Sequence, residues 1–163
     1  MSLQHLCQWL FRSHVGTVIR ESTFLYPAIE TIHVLATILL VGTVAILDLR
    51  LLGVIMRRER VSTVVRQILP LTWWGFVIMF VSGVLLFWAN ATDYYANPAF
   101  RFKLLLLLFA GLNPLLFHLT TYRGVASWDE DSQTPIRARL TGFLSLTLWS
   151  GTIIAGRAIA YFH

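Results

Sequence analysis

Glu30 and His33 stand three residues apart in the stretch PAIETIHVLATILLVGTVAILDLR, residues 27–50, which is otherwise almost wholly apolar up to Asp48 and Arg50. At helical spacing both side chains leave the same face. A Glu-x-x-His pair on an inward face can ligate a metal ion in a helix bundle, so Glu30 and His33 form the candidate metal pair. His14, in the N-terminal stretch, can join His33 in offering two ring nitrogens to a haem iron or to a copper or zinc ion, and His163 can reach the same level from the C-terminus. Tyr26, Trp88, Tyr94, Tyr95 and Phe100 fall at about that level and can wall a haem. The cofactor expectation is therefore haem b or a transition metal, with His33, His14 and, farther along, His118 as candidate ligands.

Asp48 lies 18 residues beyond Glu30. That is five helical turns, so the two carboxylates share an azimuth roughly 27 Å apart. Two polar layers result. Glu30, His33, Lys103 and Arg157 make one. Asp48, Asn113 and His118 make the other, with Arg137 or Arg139 at its rim. Asp48 beside His118 would suit a proton relay if water reached the pair. A plainer reading stands beside each of these. Intramembrane charges usually pair with one another, so Glu30 can pair with Lys103 or Arg157, His33 can be a hydrogen-bonded helix residue, His14 can bond Glu30, and Asp48–His118 can be a packing contact. Cys7, the single cysteine, excludes an intrachain disulfide and reads as a small buried hydrophobe. Nucleophile motifs, phosphate-binding glycine loops and HExxH are absent from the sequence, so soluble-enzyme chemistry has no foothold.

The elements that carry these residues follow from composition. Of 163 residues, 56% are hydrophobic and 13% charged, and the mean hydropathy is +0.68. Soluble domains have about 25% charged residues. A bilayer core of ~30 Å needs about 20 apolar residues in a helix, and four stretches qualify: 27–49, 70–89, 102–121 and 139–161. Pro27 and Pro70 suit the first turns of their helices, and Asn97-Pro98 breaks the chain before the third. The fold expected is all-α, a four-helix transmembrane domain over 23–163 preceded by an amphipathic interfacial helix over 1–22. In that tail Leu3, Leu6, Cys7, Leu10, Phe11, Val15, Val18 and Ile19 keep helical spacing, with Ser2 as N-cap. Its polar interruptions argue against a cleaved signal peptide.

The loops after the first and third spans hold Arg50, Arg57, Arg58, Arg60, Arg66, Arg123, Arg137 and Arg139, eight of the thirteen basic residues. The positive-inside rule then puts those loops in the cytoplasm and both termini outside, as in a bacterial inner membrane. Arg50 can snorkel into headgroups. Lipid explains the net charge of +5 without nucleic acid. The acidic loop WDEDSQTP reads as solvated. Inner stripes recur: Thr72, Gly75, Met79, Ser82 and Ala89 in the second span; Lys103, Leu107, Ala110, Gly111, Pro114 and His118 in the third; Thr152, Gly156 and Ala160, a small-residue seam, in the fourth. Pro114 frees the carbonyl of Ala110, which Asn113 can satisfy.

The succession IHVLATILLVGTVAILDLRLLG, NPLLFH, GRAIAY resembles an uncharacterised family of small bacterial four-helix membrane proteins over roughly residues 27–162. The resemblance implies an architecture and carries no assigned activity. The plan also looks like four-helix b-type cytochromes, which typically carry four histidines for two haems; here His33 with His14 or His163 would suffice for one. Three functions are expected to compete. One is a haem- or metal-binding redox or accessory subunit. Another is a proton-coupled carrier or channel, which would need a homo-oligomer or larger assembly. The third is a structural subunit of a larger membrane complex.

Overall fold

The computed structural model describes residues 3–129 and 134–161; Ser2, His163 and residues 130–133 of the acidic loop lie outside them. The described residues are helical, with no strand. In chain order the helices are α1 Leu3–Arg12, α2 His14–Glu21, α3 Leu25–Leu51, α4 Val61–Ala89, α5 Ala91–Ala96, α6 Pro98–Leu119 and α7 Ile136–Ala158, with short 3-10 turns at Tyr122–Ser127 and Ile159–Tyr161. α3, α4, α6 and α7 with its following turn are the helices long and apolar enough to cross a membrane, as the composition requires. The chain is a small all-helical membrane protein.

Proline and asparagine place the boundaries. Pro27 falls in the first turn of α3, where a missing N–H is harmless. Asn97 caps α6, its Oδ1 accepting from the N–H groups of Ala99 (2.9 Å) and Phe100 (3.2 Å), with Pro98 following at the first helical position. Pro70 departs from expectation. It lies inside α4, which begins nine residues earlier at Val61. The N-terminal signal is supplied through space: the Asp129 carboxylate accepts the Ser62 N–H (2.9 Å) and the Ser62 hydroxyl, doing a capping residue's work from a distant loop.

α3 packs most extensively on α4, α6 on α7, and α3 on α7, whereas α4 and α6 make few close backbone approaches and meet through the stacked rings of Phe87 and Phe100, centroids 5.5 Å apart. The bundle is thus two helical hairpins joined through α3 and α7, with the α4–α6 side the most loosely packed. Ala36 and Leu40 of α3, Met79 of α4, Ala110 of α6 and Trp149 of α7 meet in the central core. Leu51, Val61 and Ala138 form a second cluster at the arginine-rich end. Small residues set the close approaches. A Cβ on Gly75 would stand 2.9 Å from the Leu40 nitrogen, and one on Gly142 would stand 2.8 Å from the Asp48 carbonyl oxygen. Large apolar side chains such as Leu35, Ile38, Trp74, Phe80, Leu104, Leu144 and Ile154 face outward, toward the bilayer such spans require.

The tail is two helices, where the spacing predicts one. Ser13 breaks it: its hydroxyl donates to Leu10 O (2.6 Å), caps α2 by accepting from Gly16 N (3.2 Å), and accepts from Trp88 Nε1 (2.8 Å). Arg20 stacks on Phe11 and donates to the carbonyls of Phe11 (3.1 Å) and Ala89 (2.8 Å). The amphipathic segment is therefore clamped to the end of α4, and Cys7 is buried as its apolar setting suggests.

Candidate functional site

His33 projects from α3 toward α4, half-buried. Its Nδ1 lies 3.1 Å from the Met79 carbonyl and 3.0 Å from Ser82 Oγ. The Ser82 hydroxyl donates to Ile78 O at 2.6 Å, so its proton is committed elsewhere. Nδ1 is then the protonated nitrogen, donating to Met79 O, and Nε2 keeps its lone pair. Gly83 lies against the ring: a Cβ there would be 3.1 Å from His33 Cε1. Lys103 reaches in from α6, its Nζ 3.5 Å from the position of a Cβ on Gly156 of α7, and it acts on His33 electrostatically. The four long helices thus converge on an imidazole and an amine, and no ion pair joins Lys103 to a carboxylate among the described residues.

The other residues expected at this level are elsewhere. Glu30 is exposed; three residues leave it about 60° around the helix from His33, and the hydrogen bonds to α4 are made by His33. Glu30 instead lies near enough to Tyr94 to influence it. Tyr94 hydrogen-bonds Tyr26 at 3.2 Å, and burial together with that bond pushes its phenol above the usual range. Arg157 is exposed, as is His14 at the first turn of α2; the break at Ser13 turns His14 out of the apolar face that a continuous helix would give it. His163 lies outside the described residues. No three His, Cys, Asp or Glu side chains gather as a metal site among the described residues.

The second layer also separates. Asp48 is 5% exposed, with Ser145 of α7 as its hydrogen-bond partner and with Oδ2 buried and unpartnered. His118 is exposed and stacks on Tyr122, ring centroids 4.8 Å apart, so it does not pair with Asp48. Asn113 is buried and donates to Thr141 O at 3.1 Å; it ties α6 to α7 rather than satisfying the carbonyl freed by Pro114. Arg50 does not snorkel. It is 4% exposed, and its guanidinium donates to Glu59 O through Nε (2.9 Å) and Nη2 (2.6 Å) and to Thr134 Oγ1 (3.3 Å). It fastens the α3–α4 loop to the residues entering α7, a neighbour that an azimuth on α3 alone does not reveal.

Ser82, Gly75 and Met79 were legible as an inner stripe. Gly142 and Ser145, which flank Asp48, lie outside the stripes that the spacing predicts. Their signal was available: Gly142, Ser145, Trp149, Thr152 and Gly156 continue the seam of α7 at alternating spacings of three and four. Asp129 carried no such signal, because its role depends on where a loop folds back.

A family model described as a family of unknown function, DUF6644, matches residues 6–162, and the chain belongs to that family. No curated protein and no solved structure matches it.

Proposed function

We propose that this member of a family without an assigned activity is a redox or accessory subunit of a bacterial inner membrane, holding a haem b at the His33 level. The observation that carries the reading is the His33 hydrogen bond to the Met79 carbonyl. Metal-ligating histidines typically give their second ring N–H to a carbonyl or carboxylate, which fixes the tautomer and leaves the other nitrogen for the metal. His33 has that arrangement, with Ser82 beside it.

The donor set also selects the kind of group. A bare metal ion needs several protein ligands, and none gather around His33 among the described residues. A tetrapyrrole brings four of its own and asks the chain for one or two. His33 would supply a ring nitrogen to the iron. Gly83 would leave the ring edge uncrowded, and Lys103 would pair with an acidic edge group. The weakly packed α4–α6 side would give a flat group a way in. When bound, haem supplies one-electron exchange; the chain's residues hold, orient and neutralise it. The arginine-rich loops would face the cytoplasm, with an electron partner or a second copy at the exposed helices.

The test is an absorption spectrum of the detergent-purified full chain, expressed with haem available, oxidised and then reduced. The expected result is a Soret band with sharpened bands on reduction, lost in His33→Ala and kept in His14→Ala. A colourless protein, or colour retained in a folded His33→Ala, would refute the assignment.

One observation favours a second reading. The buried Asp48 Oδ2 lacks a donor, and an orphan oxygen of this kind calls for a proton or a visiting cation. In a proton-coupled carrier Asp48 would take and release that proton next to Ser145, without His118. Asp48→Asn should then abolish pH-driven flux in proteoliposomes; unchanged flux would exclude it.

A further inference from the structure

The Nδ1 of His33 faces two oxygens of α4, Met79 O at 3.1 Å and Ser82 Oγ at 3.0 Å. The two are not equivalent. As a helical carbonyl, Met79 O already accepts a backbone N–H, so it offers His33 its second lone pair. Ser82 Oγ sends its own proton back along the helix to Ile78 O at 2.6 Å, a local bond that serine makes readily in a helix. Its lone pairs remain for the ring. A hydroxyl that donates strongly is also the better acceptor, because hydrogen bonds in series polarise one another. Ser82 is 4% exposed, so bulk water does not compete for the bond.

The next residue brings the ring to this hydroxyl. A Cβ on Gly83 would stand 3.1 Å from His33 Cε1 and 3.5 Å from Nδ1, so glycine gives the imidazole room to settle against this turn of α4. Lys103 is the charged group that acts on the ring, and it brings no acceptor, since an ammonium only donates. The proton on Nδ1 is therefore shared between one fixed backbone oxygen and one replaceable side-chain oxygen.

We infer that Ser82 is a positioning residue for His33: its oxygen shares the Nδ1 proton with Met79 O, keeps Nε2 unprotonated and makes that nitrogen a stronger donor to a metal than the backbone bond alone would. Its effect on a metal rests on the haem reading above, whereas its hold on the ring proton does not. An acceptor on the N–H of a ligating histidine raises the basicity of the nitrogen that binds. A more basic nitrogen favours oxidised iron, the more positively charged form, over reduced iron. Ser82 therefore tightens retention of the iron and holds its reduction potential low.

The test takes the detergent-purified full chain with isotope-labelled histidine and reads the ring nitrogens and their protons by NMR, first without haem, with His33→Gln identifying the His33 signals. The expected wild-type ring has Nδ1 protonated and Nε2 bare. Ser82→Ala, which keeps a small residue in the seam, should move the Nδ1 proton upfield as it loses one of its two acceptors, and Ser82→Thr, which keeps the hydroxyl, should restore it. With haem added, Ser82→Ala should weaken retention about tenfold and raise the midpoint potential in a reductive titration, while Ser82→Thr stays near wild type. A wild-type ring protonated on Nε2, or an unchanged Nδ1 proton in folded Ser82→Ala, would overturn the proposal. An unchanged potential in haem-loaded Ser82→Ala would overturn the effect on the metal while leaving the haem reading intact. A wild type that takes up no haem would remove that reading and the metal effect with it, and the Nδ1 proton would then decide the role of Ser82 alone.

Discussion

Gly75 and Gly42 sit on the same helix pair and should respond oppositely to one added methyl group. A Cβ on Gly75 would lie 2.9 Å from the backbone nitrogen of Leu40 and 3.1 Å from its Cα, whereas a Cβ on Gly42 meets nothing within 4 Å. Ordinary contact begins at 3.4 Å, so Gly75→Ala must part α3 and α4 by at least half an ångström, about 0.5 Å from the difference of these distances. The obstacle is backbone, which cannot swing aside as a side chain would. Overpacking of this kind costs about 1–3 kcal/mol, set against a helix-propensity gain of about 0.5–1 kcal/mol for Gly→Ala in a helix interior. Gly42→Ala keeps the gain without the clash. The two variants should therefore differ by about 1–3 kcal/mol, with Gly75→Ala the less stable. Thermal or denaturing-detergent unfolding, followed by far-ultraviolet circular dichroism, measures the difference. Because His33 bonds Met79 O across the same seam, Gly75→Ala should also disturb whatever His33 holds. Equal stability of the two variants would refute the close approach of α3 and α4, and with it the placement of His33 against α4.

The remaining predictions concern contacts that no single helix encodes. Arg50→Met leaves the Glu59 carbonyl and the Thr134 hydroxyl without their donor and should lower stability by about 2–3 kcal/mol; Thr134→Val should cost about 1 kcal/mol, and unfolding transitions compare the two. Trp88→Phe removes the bond to Ser13 and should loosen α1 and α2 by about 1 kcal/mol, seen as faster amide exchange in residues 3–21 with the spans unchanged. Burial by itself would raise Asp129, but the Ser62 hydroxyl and N–H bonds and Arg60 hold its carboxyl below the usual range. The folded form thus favours the carboxylate, and its contribution is present above the unfolded value near ~3.9 and is lost as pH falls through the lower folded value. Asp129→Asn should flatten that acid limb of stability against pH; an unaltered limb would show that Asp129 does not hold the start of α4.

The sequence alone determined the membrane class, the presence of four long apolar helices and the inward stripe through Gly75, Met79 and Ser82, because helical period and apolar length are local properties. It also marked His33 and Asp48 as residues that must face protein. Partners were a matter for the tertiary structure. Glu30 and His33 share a helix face, yet only His33 meets α4, since a neighbouring helix covers a narrower arc than a spacing pattern implies. Pro70 looked like a helix start until Asp129, brought from a distant loop, supplied the cap nine residues earlier. Arg50 looked like a headgroup anchor until a loop and the entry to α7 closed over it. His118 and Asp48 fell in one layer by depth, yet Asp48 is buried against α7 while His118 is exposed and stacks on Tyr122. Depth and period can be read along one chain; which surface another segment covers depends on packing between segments far apart in sequence.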